Sequence, residues 1–192
     1  GRRGVCLPFT DQCAPLATSD FPVDSLAKRA IEYGGQQKWK YLEFRGGDGF
    51  SQEHQPVSDA FYTHELALEE EEKVVLAKFR SSTRRNIKKA QKAGLDVTLS
   101  SSLPDLTEFY RLNCLTRRDH GLPPQPFVFF NNLHNAILSR RKGFVVLAHR
   151  RGETVAGAVY LLHNNQCVYK FGASDKRFQH LRANNLVMWA AI

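Results

Sequence analysis

Three observations predict a mixed α/β (α+β) fold for this chain. Segments with apolar residues at helical spacing alternate with segments of period-two alternation, the later strand-like segments are joined by hairpin turn residues, and glycine or proline punctuates most junctions. With 192 residues, 42% hydrophobic and 24% charged, the composition is ordinary for globular proteins and suffices for one full domain or parts of two.

The opening Val5-Cys6-Leu7-Pro8-Phe9 is a short apolar strand closed by turn formers. Phe21-Pro22-Val23-Asp24 leads into a helix expected over residues 23–33 and stopped by Gly34-Gly35. Residues 39–44 alternate as a strand, residues 46–56 are polar and glycine-rich, and residues 61–68 read as another strand. One long helix is expected over residues 70–93. Its acids sit at the start and its bases toward the end, complementing the helix dipole, and Gly94 stands at the C-terminal cap. Leu76, Phe79, Thr83, Ile87 and Ala90 share one side of it. Then come a strand at 96–100 and a helix from Pro104 to about residue 119, with Leu106, Phe109, Tyr110 and Leu112 inward. A proline-rich loop at 121–126 leads to a second helix that ends near Gly143. Strands at 144–149, 154–163 and 166–173 follow, connected by turns at 150–153 and Asn164-Asn165, and a helix begins near Ala183.

The net charge of +8 is unevenly placed: Lys78, Arg80, Arg84, Arg85, Lys88, Lys89 and Lys92 follow one another with no acid among them. Arg80, Arg84 and Lys88, four residues apart, are expected to form a basic stripe that binds a phosphate-bearing substrate, with a solvated helix face as the competing reading. A nucleotide-linked precursor, a lipid-linked precursor and tRNA all fit, because phosphate contacts position a ligand without specifying it. DNA is not expected, since neither a helix-turn-helix signature nor an aromatic-studded RNA-binding strand is present. Cys6, Cys13, Cys114 and Cys167 form no C-x-x-C and no zinc spacing, so no metal is expected, and a reduced, cytoplasmic protein is the default, with the inner membrane surface as an alternative setting. No stretch approaches the roughly 20 apolar residues that cross a bilayer. No Ser/His/Asp arrangement or cysteine nucleophile is visible.

The run from Arg80 through Arg84-Arg85-Asn86-Ile87-Lys88-Lys89-Ala90 to Gly94 resembles the R-x-x-I-R-K-A-x-K-x-G helix of Fem-type (FemAB-like) peptidoglycan interpeptide-bridge aminoacyltransferases. Further matches are Phe109-Tyr110, Thr116-Arg117-Arg118-Asp119-His120-Gly121-Leu122-Pro123, Tyr169-Lys170-Phe171-Gly172-Ala173-Ser174, and Asn184-Asn185-Leu186-Val187-Met188-Trp189, which is similar to the family's N-x-L-x-W helix. Together they cover residues 78–192.

The resemblance implies the GNAT-like acyl-CoA N-acyltransferase architecture, arranged as tandem units. Residues 1–68 would be the rear part of a first unit. Residues 69–192 would be the front part of a second, truncated at its C-terminus as a fragment of a longer protein. It also implies an acyltransferase that moves an aminoacyl or acyl group to an amine acceptor, a peptidoglycan precursor or related cell-envelope substrate, in cell wall biogenesis. Acetyl-CoA enzymes of this fold carry a Q/R-x-x-G-x-G/A turn before the phosphate-binding helix, whereas residues 177–184 contain no glycine. Aminoacyl-tRNA is therefore the expected acyl donor, ahead of coenzyme A, and no resident cofactor is expected. The alternatives are an acyl-CoA-dependent N-acetyltransferase and a non-catalytic nucleic-acid-binding module.

The catalytic candidates are Lys170, suited to stabilise a developing oxyanion, Asp175, suited to accept a proton or hold an ammonium, and His120, suited to take the proton of an attacking amine. The substrate-binding candidates are Arg80, Arg84, Lys88, Arg118, Tyr169, Ser174, Asn184 and Asn185. The favoured reading of His120 is a surface loop histidine, and Asn184 and Asn185 read equally as helix caps. Strand alternation places Tyr169 and Lys170 on opposite faces. The expected mechanism is direct attack of an amine on a bound ester or thioester, without a covalent enzyme intermediate.

Overall fold

The computed structural model describes residues 1–7, 10, 12–16, 18, 22–46 and 58–192. Two compact units divide the chain, Gly1–Glu65 and Leu66–Ile192.

In the first unit, strand β1 (Gly4–Val5) pairs in parallel with β2 (Leu42–Glu43), and helix α1 (Val23–Gln36) connects them. Gly34-Gly35 does not stop this helix as expected. Trp39 folds back onto Gly34, where an added Cβ would lie 2.9 Å from the indole, so the glycine serves close packing inside the helix. The strand expected over 39–44 shrinks to the two residues of β2. Residues 61–68 form no strand: Phe61 and Tyr62 are 88% and 96% exposed, and no strand among the described residues pairs with them. Alternation alone cannot hold a strand that lacks a ladder partner. Pro8, Phe9, Phe21 and most of the polar stretch at 46–56 lie outside the described residues.

The second unit opens with a correction. The expected single helix over 70–93 is two helices, α2 (Glu72–Lys78) and α3 (Ser81–Lys92), separated by Phe79 and Arg80 in extended conformation with ψ of 148° and 147°. Phe79 leaves the helix to meet Trp189 edge-on at 5.7 Å, trading one helical turn for an aromatic contact. Ser81, Ser82 and Thr83 then restart the helix. Gly94 takes the left-handed conformation expected of the cap, with φ 69°.

Four antiparallel strands follow the spatial order β3 (Asp96–Ser100), β4 (Gly143–Arg150), β5 (Glu153–His163), β6 (Gln166–Ser174). Left-handed Arg151, Gly152 and Asn164 make the two hairpin turns the sequence indicates. Helix α4 (Leu103–Asp119) begins at Ser102, whose hydroxyl accepts from the Asp105 N–H. Helix α5 (Phe127–Ala136) ends earlier than expected, and a 3₁₀ turn, Leu138–Arg140, completes the way to β4.

Period-two alternation sends β4 side chains to two cores. Val145 and Leu147 join Leu106, Phe109, Leu112 and Phe130 beneath α4 and α5, while Val146 and Ala148 join Ile87, Ala90, Leu186 and Val187 beneath α3 and α6 (Ala183–Ala191). Gly157 allows α4 its close approach, because a Cβ there would sit 2.7 Å from Leu147 and 3.3 Å from Phe109. The expected mixed architecture of an antiparallel sheet flanked by helices is thus present.

Candidate functional site

The polar candidates meet where β6 runs out toward α6. The Thr116 hydroxyl on α4 accepts from the Ser174 N–H at 3.2 Å and donates to the Ser174 carbonyl at 3.3 Å, fixing the last residue of the strand. Asn184, in the first turn of α6, donates its amide to the Ser174 hydroxyl at 3.2 Å. Ser174 and Asn184, both substrate-binding candidates, are therefore hydrogen-bonded to each other. Neither asparagine caps α6: the N-cap is Arg182, left-handed at φ 63°, without a side-chain cap. Asn185 is half-buried one position further on.

Asp175 has a different employment from the one expected. Its carboxylate is 6% exposed, caps the 3₁₀ segment Lys176–Leu181 by accepting from the Arg177 N–H at 2.9 Å, and receives the Arg177 guanidinium at 2.6 and 3.0 Å. The same guanidinium bonds Glu153 at 2.7 Å. The Arg177 hydrogen bond holds the Asp175 carboxyl below the usual range, which makes it a weaker base than a free aspartate. Its geometry is that of a structural cap. Sequence reasoning missed Arg177, Glu153 and Thr116; the Asp-x-Arg spacing was the available signal for the first.

Further back along β6 the alternation breaks. Tyr160 pairs with Tyr169 and Val159 with Phe171, so Lys170 is an extra residue in a bulge. The expected opposition of Tyr169 and Lys170 does not follow from simple alternation here. Tyr169 shares a face with Gly172, and a Cβ at Gly172 would fall 1.6 Å from the Tyr169 hydroxyl. Tyr169 meets Tyr160 edge-on at 5.5 Å, and Phe144 stacks on Tyr160 at 5.1 Å. The Tyr160 hydroxyl is buried without a hydrogen-bond partner, and desolvation pushes both tyrosine pKa values up. The Lys170 ammonium lies 5.9 Å from the Phe171 ring centroid.

His120 is exposed at the C-cap of α4, ahead of left-handed Gly121, and Arg118 is exposed beside it. Lys176 pairs with Asp119 at 3.4 Å, tying this helix end to the exit of β6. On α3 an open basic groove is lined by Ser81, Arg84, Arg85, Lys88, Lys89 and Lys92. Arg84 and Lys88 belong to it, but Arg80 does not, because the break between α2 and α3 takes it off the helical stripe to the N-cap. Arg84 donates to the Ala77 carbonyl at 2.9 Å. Among the described residues no His/Cys/Asp/Glu group could hold a metal ion, and no helix is long and apolar enough to cross a membrane.

The family described as "Acetyltransferase (GNAT) domain" matches residues 77–192, more than half of the chain. This chain belongs to the GNAT acetyltransferase domain family. Membership makes the matched region an acyltransferase domain, in agreement with the expected architecture. Among solved structures, FemX is similar with a TM-score of 0.58 at 14% identity, covering 64% of this chain and 46% of FemX. The C-terminal domain (DUF2156) of a putative lysylphosphatidylglycerol synthetase from Agrobacterium fabrum has a TM-score of 0.38 at 15% identity, covering 58% of this chain and 42% of that one. This GNAT-family chain spans less than half the length of either structure. At such identities the likeness to FemX is one of fold, and it agrees with the Fem-type resemblance in the sequence. No curated protein matches the sequence.

Proposed function

We propose that this GNAT-family chain transfers an aminoacyl or acyl group from a phosphate-bearing donor to the amine of a cell-envelope acceptor, with a peptidoglycan precursor as the first candidate. The observation that carries the reading is the exit of β6, where Ser174, Asn184 and Thr116 are hydrogen-bonded together at the start of α6 inside an acyltransferase domain. The Fem-type motifs supply the choice of acceptor and of aminoacyl-tRNA as donor. Arg182 supports the ranking of donors: it holds the left-handed N-cap of α6 with a long cationic side chain, where a coenzyme A enzyme of this fold would carry a glycine turn.

In this mechanism the acceptor amine attacks the donor carbonyl, and proximity supplies most of the rate. Ser174 and Asn184 orient the acyl group, and Lys170 stabilises the charge that develops on the carbonyl oxygen. His120, on the helix end tied to the β6 exit by Asp119 and Lys176, takes the amine proton. Arg84 and Lys88 bind donor or acceptor phosphate, and Arg118 and Tyr169 extend the substrate contact. Asp175 shapes the turn and takes no proton.

The test is a transfer assay on the full-length protein with radiolabelled aminoacyl-tRNA and acetyl-CoA, each offered with a peptidoglycan precursor bearing a free amine. Transfer from aminoacyl-tRNA alone supports the reading. Efficient transfer from acetyl-CoA establishes the acyl-CoA alternative, and equal binding of charged and uncharged tRNA without transfer establishes a nucleic-acid-binding module.

A further inference from the structure

In the first unit, Gly4, Cys6 and Cys13 donate their backbone N–H groups to the carbonyls of Tyr41, Glu43 and Arg45 at 3.1, 2.9 and 2.9 Å. The Glu43 and Arg45 carbonyls are two residues apart in the chain, so the Cys6 and Cys13 amides dock on neighbouring positions of the same segment. Two residues of chain span at most about 7 Å, so the two amides are held close together. This brings the two residues to the scale of the roughly 4.4–6.8 Å between α-carbons that a disulfide bridges. The Cys6 side chain is also turned the right way: its Sγ lies 3.6 Å from the Cys13 carbonyl oxygen. Both thiols are free and half-buried, hence reachable by small oxidants.

From this edge geometry we propose that Cys6 and Cys13 are a redox-reversible dithiol that closes to an intramolecular disulfide. The bond forms as one thiolate attacks its partner after the partner is oxidised to sulfenic acid by hydrogen peroxide, or after mixed-disulfide formation with a small disulfide such as oxidised glutathione. The two thiols give up two electrons and two protons. Peroxide is thereby reduced to two waters, or oxidised glutathione to two molecules of its thiol. Contact with the Cys6 thiol raises the Cys13 pKa, so closure is expected to accelerate as pH rises and the thiolate forms. This inference is independent of the acyl-transfer reading, since it concerns residues of the other unit. It bears on the default expectation of a reduced chain.

The experiment exposes the folded protein to hydrogen peroxide, and separately to oxidised glutathione, then titrates thiols in denaturant and maps peptides without reduction. The reduced chain has four cysteines, and closure should lower the titrated number to two, with a linked Cys6–Cys13 peptide that dithiothreitol removes. The Cys114→Ser/Cys167→Ser variant, free of competing thiols, should go from two to none. Four surviving thiols, or linkage of either cysteine to Cys114 or Cys167 in place of the pair, would overturn the proposal. Because the wild-type peptide map decides the matter, a variant that fails to fold does not.

Discussion

Replacing Asp175 separates its structural role from the catalytic one first expected of it. In Asp175→Asn the side chain still accepts from the Arg177 N–H, since asparagine caps as well as aspartate, but the ion pair to the guanidinium is lost. Arg177 stands largely in solvent, so the lost pair is worth only about 1 kcal/mol. Asp175→Ala also loses the cap, and the total becomes about 2 kcal/mol. The pH dependence follows from the depressed carboxyl pKa. Its contribution is fully present above the ordinary aspartate value of about 3.9 and disappears as pH falls through the lower folded value. Urea denaturation should therefore show wild type above Asp175→Asn at pH 7, with the two converging as the medium is acidified below about pH 4. Acyl transfer by Asp175→Asn at pH 7 should stay within about threefold of wild type, the scale of a disturbance well under 1.4 kcal/mol in the barrier. A variant as stable as wild type at pH 7 but catalytically dead would refute this reasoning and return Asp175 to the role of a base.

Gly172→Val should push Tyr169 off the strand, because no space exists for a Cβ beside its hydroxyl; loss of the Tyr169–Tyr160 edge contact is expected to cost about 1 kcal/mol and to change near-ultraviolet circular dichroism. Arg182→Gly should stabilise the protein by about 1 kcal/mol in thermal unfolding, since glycine relieves the left-handed strain at the head of α6. Replacing Arg85, Lys88 and Lys89 by Gln should weaken binding of a phosphate-rich ligand such as tRNA and flatten its salt dependence by about 0.7 in log–log slope per lost contact, whereas Arg80→Gln should have little effect; filter binding across a salt series reads both.

The sequence revealed most where local periodicity and tertiary demand agree. Strands β3 to β6 and helices α4 and α6 fall close to their expected bounds, because apolar alternation there matches two real cores and left-handed turn residues fix both hairpins. The break between α2 and α3 was hidden, since Phe79 sits at a proper helical spacing and only the arrival of Trp189, more than a hundred residues later, gives it a better partner. Residues 61–68 show the reverse error, an alternating pattern without a neighbouring ladder. At the site, Ser174 and Asn184 were each candidates, but the hydrogen bond between them was not anticipated. The capture of Asp175 by Arg177 was local and could have been read, but the bulge at Lys170 depends on the register against Tyr160, which no window of β6 contains.

That bulge says something about why the residue is there. Strand β6 pairs with β5 at every one of its positions except Lys170, so a chain lacking this residue would present an unbroken ladder with every neighbour on its present face. In the β5–β6 register Lys170 is a surplus residue, whose backbone adds conformational entropy to be lost on folding without a ladder partner in β5. Deletion of Lys170 should therefore leave a folded protein with a regular β5–β6 ladder, which unfolding measurements on the deletion variant check. The residue that interrupts the ladder is the one proposed above to stabilise charge on the carbonyl oxygen, and bulges of this kind re-aim side chains beside active sites.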